Sequence, residues 1–173
     1  DALICGVSAL ALRTNAPTVL REEALRYVAP RNVGFGTQAP PFQSVRGGVP
    51  VLGSTIDVMP EKAILANSAA VREWDSNGTN FGYNPAHGHI AGEFGHNDYY
   101  PVAVAAAQLA GQNGAFAMRG MILLDEIRGR LAEVFSLKTY KIDHVLHGAI
   151  GSAAVYGALM GATAEQIESA IGM

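Results

Sequence analysis

A chain of 173 residues with 49% hydrophobic and only 16% charged side chains is long enough to bury one substantial core, and reads as a single soluble globular domain. Its 12 Lys and Arg against 15 Asp and Glu leave a net charge of -3, so no basic face is available for a nucleic-acid backbone. One cysteine, Cys5, excludes an internal disulfide and cannot supply the thiolates of an iron–sulfur cluster.

Residues 1 to 13 and roughly 17 to 28 carry apolar positions at helical spacing, with Thr14-Asn15-Ala16-Pro17 as a stop and restart between them. The chain opens as a helix interior with no initiating Met and no targeting signal. It closes at Met173 within another helical pattern, so both ends are expected to be cut and residues 1–173 to be a partial helical domain. From Ala29 to Met59 the prolines Pro30, Pro40 and Pro41 and the glycines Gly34, Gly36, Gly47 and Gly48 break the periodicity. That stretch reads as irregular, with a short strand near Val49 to Leu52.

Pro60 suits the first position of a helix and Glu61 favours its dipole; the helix should run to about Trp74. A loop from Asp75 to Tyr100 follows. Pro101 opens an apolar helix ending near Gly111, and Gly114 to Phe135 forms a longer one with Met118, Met121, Ile122, Ile127, Leu131 and Val134 mostly on one face. Lys138 to Asp143 is a polar link. The run from Val145 to Met160 is too short to span a membrane, and its many Gly, Ala and Ser residues predict a buried helix closely approached by its neighbours. Thr163 and Gln166 form a capping-box start for the last helix. The fold class is all-α, with any strand confined to the irregular 29–59 segment.

All five histidines, His87, His89, His96, His144 and His147, fall between residues 87 and 147. Histidine exchanges protons near neutral pH, so the clustering points to a proton-transfer site; for His87 and His89 the plainer reading is a solvated polar loop. A metal site built from His87, His89, Glu93 and His96 is the other possibility, but the spacing matches no well-defined ligand pattern. The stretch Arg72-Glu73-Trp74-Asp75-Ser76-Asn77-Gly78-Thr79 sets an aromatic ring, a carboxylate, an amide and a hydroxyl at a helix end. It suits either a small polar ligand or an ordinary helix stop with Trp74 in the core.

Trp74-Asp75-Ser76-Asn77-Gly78-Thr79 resembles the W-x-D-[FY]-N-D-T element of the MmgE/PrpD family, with the tryptophan shifted by one place. Gly92-Glu93-Phe94-Gly95-His96-Asn97 is similar to its A-E-W-G-H-P, and Lys141-Ile142-Asp143-His144-Val145-Leu146 to its L-D-H-V-x-L, with Ser152 following at the family's spacing. The likeness runs through nearly the whole chain in one register. It implies a partial helical domain whose α/β lid domain lies outside these residues, in a homodimer joined through the helical domain and requiring no cofactor, metal or cluster.

The reaction so implied is elimination of water from 2-methylcitrate, a small tricarboxylate, to 2-methyl-cis-aconitate in propionate catabolism. Decarboxylation of cis-aconitate and a non-catalytic scaffold are the alternatives. Matched positions make Asp75, His96 and His144 the expected catalytic groups and Thr79 and Asn77 the expected substrate-binding ones. One of the two histidines would move the proton, and Asp75 would orient a histidine as a carboxylate does in a triad. Neither a nucleic acid nor a membrane is expected as a partner. The resemblance places the enzyme in the mitochondrial matrix, or in the cytoplasm if the source is bacterial.

Gly78 stands where the family usually has an acid, and the stretch Asn80 to Ala91 is longer than its family counterpart; either would alter substrate choice. The family's catalytic lysines and a further histidine fall after Met173. Few cations are evident here to meet a substrate with about three negative charges at neutral pH. Residues 1–173 alone are therefore expected to show little or no dehydratase activity. An assay giving turnover comparable with that of the full-length protein would refute this.

Overall fold

A computed structural model of the chain describes residues 1–30, 46–74, 81–89 and 97–173. Among them are seven α-helices: α1 (Ala2–Ala11), α2 (Asn15–Ala24), α3 (Pro60–Arg72), α4 (Tyr100–Leu109), α5 (Gly114–Val134), α6 (Val145–Leu159) and α7 (Ala164–Gly172). Two short strands, β1 (Val49–Pro50) and β2 (Asp57–Val58), pair antiparallel with Val49 opposite Val58 and Pro50 opposite Asp57. The fold is thus mainly helical, and its only sheet among the described residues lies in the segment predicted to be irregular.

The sequence signals for helix ends hold to within a few residues. Pro60 occupies the first turn of α3. The Thr163 hydroxyl accepts from the Gln166 amide at 3.3 Å, and the Gln166 side chain accepts from the Thr163 amide at 2.9 Å, so both halves of the capping box form. Between α1 and α2, Arg13 takes a left-handed backbone with φ of 52°, and the two helices meet at 90°. No single helix among the described residues is long and apolar enough to cross a membrane.

α4 lies at the centre. Its sequence, Tyr-Pro-Val-Ala-Val-Ala-Ala-Ala-Gln-Leu, is apolar all round, as a helix surrounded by protein must be. One core packs its Ala105 and Leu109 against α2, the β1–β2 hairpin and α3; a second packs Ala103 and Ala106 against Leu124 of α5 and Val155 and Leu159 of α6. Tyr156 and Met160 pack against both cores. Alanine at the α4 contacts leaves little side chain to separate the axes, and Gly120 of α5 takes the same logic further. A Cβ there would stand 2.7 Å from Leu159 Cδ1 and 2.9 Å from Ala103 Cβ.

α5 departs from the expected pattern. Its bundle face is Ala117, Gly120, Leu124, Arg128 and Ala132, whereas Met118 and Ile122 remain 57% and 65% exposed. The helix carries apolar residues on more than one side, and close approach selects the small ones. Of the predicted stripe, Met121 and Ile127 do pack against the second core, while Met118, Ile122 and Val134 are exposed, because periodicity alone weights bulky residues.

The turn after β1 is held from two helices. Asn67 of α3 accepts from the Leu52 amide at 2.8 Å and donates to the Pro50 carbonyl at 3.3 Å, taking the place of a third strand. From α2, Arg21 donates through Nε and Nη2 to the Leu52 and Gly53 carbonyls, each at 2.9 Å. Replacing Asn67 by Leu strands both backbone groups. A loss of about 2 kcal/mol, or about 4–8 °C in Tm, is expected by thermal denaturation; an unchanged Tm would show that the clamp contributes nothing.

Candidate functional site

Between α3, α4 and α6 opens a cleft of about 960 Å³. Ile64, Leu65, Val102, Val145 and Met160 line its apolar length, and its polar groups include Ser68, Arg72, Asp98, Tyr99 and Ser152, with the Glu61 carboxylate and Tyr156 also on the wall. α3 delivers Arg72 from its last turn. Asp98 and Tyr99 come from a 3-10 turn, Asn97–Tyr99, that runs directly into α4 at Tyr100-Pro101.

Asp98 is a buried carboxylate, which needs a cation. Arg72 Nε stands 3.2 Å from its Oδ2, and Arg72 keeps 39% of its side chain in solvent where Asp98 keeps 8%. Tyr99 has its ring under the guanidinium of Arg128, whose Cζ is 4.4 Å from the ring centroid. The ring also rests on α6 at Gly148, where a Cβ would collide with Tyr99 Cζ. Burial pushes the Tyr99 phenol upward; Arg128 works against this, Asp98 and Asp143 add to it, and Arg72 opposes them.

Arg128 is 2% exposed. Its stem packs against Gly151, where a Cβ would meet Arg128 Cγ at 3.0 Å, so any larger residue would press the arginine stem aside by a few tenths of an ångström. Burial pulls its basicity down, and Tyr99, Asp125, Asp98 and Tyr100 restore it in that order. The guanidinium remains a cation throughout the working range. Asp125 is itself tied to Tyr100, whose hydroxyl donates to its Oδ2 at 2.6 Å; burial first and then this bond push the Tyr100 phenol well up.

The remaining groups come from the head of α6. Leu137–Tyr140 forms a 3-10 turn ending in Lys141 with φ of 57°, and the chain then enters the helix at His144. His144 is 8% exposed, with Nδ1 3.1 Å from Asp143 Oδ1. The same carboxylate oxygen accepts from the Val145 amide at 3.1 Å, so the helix start fixes the group beside the imidazole. His147, 3% exposed, follows one turn on. Burial, then Arg128, then His144 lower its pKa below the ordinary 6.5. His144, His147, Gly148 and Gly151 share one face of α6 at i, i+3, i+4 and i+7.

Of the residues expected from sequence, the structure describes His144 and places it beside this cluster. Asp75, Asn77, Thr79 and His96 lie outside the described residues. Ser152 lines the cleft as the family spacing suggested, while His87 is exposed with its ring 6.4 Å from that of His89. Among the described residues no three His, Cys, Asp or Glu side chains gather as metal ligands would; Glu93 and His96 lie outside them. Trp74 is not in the core: it is 41% exposed, and its indole donates to Ser8 Oγ at 2.7 Å.

Two cations that the sequence did not single out, Arg72 and Arg128, converge on the cluster from two helices, although only Arg72 lines the cleft and it is paired with Asp98. Asp98 and Tyr99 were also missed, and His147 was named only as one of the five clustered histidines. The available signal was Arg128 at the spacing of Gly120, Leu124 and Ala132, a charge on the stripe of small residues.

No solved structure matches the chain. The family described as the MmgE/PrpD N-terminal domain matches residues 5–173. That family includes 2-methylcitrate dehydratases. A match over nearly the full length, in agreement with a mainly helical fold, means that the chain belongs to the MmgE/PrpD family.

Proposed function

We propose that this chain supplies part of the active site of a 2-methylcitrate dehydratase that works without metal or organic cofactor and forms 2-methyl-cis-aconitate in propionate catabolism. One observation carries the reading: a buried histidine with a carboxylate at 3.1 Å, next in the chain to Val145, which lines the same cleft as Arg72.

The elimination needs a base to take the proton from the carbon next to a carboxylate. The C–H electrons become the double bond, the C–O bond breaks, and the departing hydroxyl receives a proton and leaves as water. His144 is suited to the proton exchange because Asp143 stabilises the imidazolium that forms. Arg72 at the cleft and Arg128 behind Tyr99 give the region the positive potential that a tricarboxylate and its developing negative charge require.

Asp75 and His96 complete the catalytic set in this reading, with Asn77 and Thr79 holding substrate oxygens. Chain order supports them. Asp75 follows Arg72 by three residues, His96 precedes Asp98 by two, and Arg72 and Asp98 are ion-paired. The family likeness extends the proposal to a homodimer joined through the helical domain, in the mitochondrial matrix or, for a bacterial source, the cytoplasm.

The test incubates full-length protein with 2-methylcitrate and, separately, with cis-aconitate, and identifies products by mass. Loss of water from the first is expected. Loss of carbon dioxide from the second instead would make the protein a decarboxylase, and neither reaction would leave a non-catalytic scaffold. His144→Gln should lower kcat by about 10²–10⁴-fold with the fold intact. Arg72→Gln should cost about 2 kcal/mol of substrate binding, roughly 30-fold in KM. Kinetics indifferent to both changes would remove the site from consideration.

A further inference from the structure

The two histidines of α6 share a face and differ in their surroundings. His144 has a carboxylate oxygen 3.1 Å from its Nδ1. His147 has Arg128 and His144 as its charged neighbours among the described residues, and both oppose its protonation. A pair of titratable groups whose environments push them apart marks a division of acid–base labour.

We propose that Arg128 is a positioning residue for this site, which assigns the proton-carrying task to His144 and leaves His147 as its uncharged neighbour. The part concerning turnover rests on the dehydratase reading; the part concerning His147 does not. Arg128 is 2% exposed and is covered by the Tyr99 ring at 4.4 Å, so it does not itself meet substrate. Its effect is that of a fixed charge in a region of low dielectric.

The geometry holds this charge in place from several directions. Gly151 admits the Arg128 stem between α5 and α6, Gly148 seats the Tyr99 ring, and His147 lies one residue before Gly148 on the same helical face. Among the described residues, the charged and titratable groups around the cluster are Arg128 and Asp125 from α5, Asp98 and Tyr99 from the turn before α4, Tyr100 of α4, Arg72 from α3, and His144 with Asp143 at the head of α6. The carboxylates of Asp98 and Asp143 are engaged by Arg72 and His144 respectively. Were His147 also to charge, it would oppose the proton that His144 must accept. Keeping it neutral therefore leaves His144 free to cycle.

The experiment uses full-length protein and follows the imidazole titrations by NMR alongside the pH profile of kcat/KM for 2-methylcitrate. In the wild type, His147 should stay neutral to lower pH than His144. In Arg128→Gln, the His147 titration should rise and the acid limb of kcat/KM should move up by about half a pH unit or more, since loss of the neighbouring cation lets the imidazoles protonate more readily. Arg128→Lys, which keeps the charge, should hold both near wild type. His147 titrating with or above His144 in the wild type overturns the proposal, and this measurement needs no variant to fold. Equal behaviour of the Gln and Lys variants also overturns it, because Arg128 would then serve packing alone. Titrations as expected in a protein that does not turn over 2-methylcitrate would support the neutral state of His147 and defeat the dehydratase reading separately.

Discussion

A guanidinium almost wholly removed from water sits between two helices and over an aromatic face, and the arrangement around it determines how the bundle closes. Arg128 carries a charge it cannot shed, so its burial is tolerable only where polar and π-electron partners surround it. Tyr99 supplies the ring, Asp98 and Asp125 the negative charge, and Gly148 and Gly151 the space. A larger side chain at either glycine would have to displace the ring or the arginine stem, which the same contacts hold in place.

The composition of the central helices follows from the same demand. α4 and α6 are dense in alanine and glycine because their neighbours approach from several sides, and small side chains let the axes come close enough to exclude water from the polar cluster. Close contacts at Gly120 and Gly151 hold α5 against α4 and α6, and Arg128, His144, His147 and the Asp98 carboxylate are all buried beside them, with Arg72 reaching in from solvent. Low dielectric strengthens every charge interaction there. The cleft beside it remains apolar along most of its length and polar where Arg72, Asp98 and Tyr99 reach it.

Much of the fold was legible residue by residue. Pro60, Pro101 and Thr163 each mark a helix start through backbone chemistry that acts within one turn, and the structure has helices beginning at or beside all three. The small-residue run of α6 correctly signalled close packing. The α5 stripe was misjudged in part: Met121 and Ile127 pack inward as expected, but Met118 and Ile122 face outward while Ala117, Gly120 and Arg128 face in. Hydrophobic pattern measures what a side chain would gain from burial; it does not measure how near the neighbouring helix comes.

The candidate site divides along the same line. His144 was legible because it sits in a short motif with Asp143, and adjacency in the chain guarantees adjacency in space. Arg128 and His147 were not, since their significance lies in contacts between α5, α6 and the turn before α4. Local sequence thus determined the helices, their ends, the family and the Asp143–His144 pair, all consequences of interactions spanning a few residues. Only the tertiary structure decided which face of α5 turned inward and which cations met the histidines, because charges separated along the chain interact only once packing has removed the water between them.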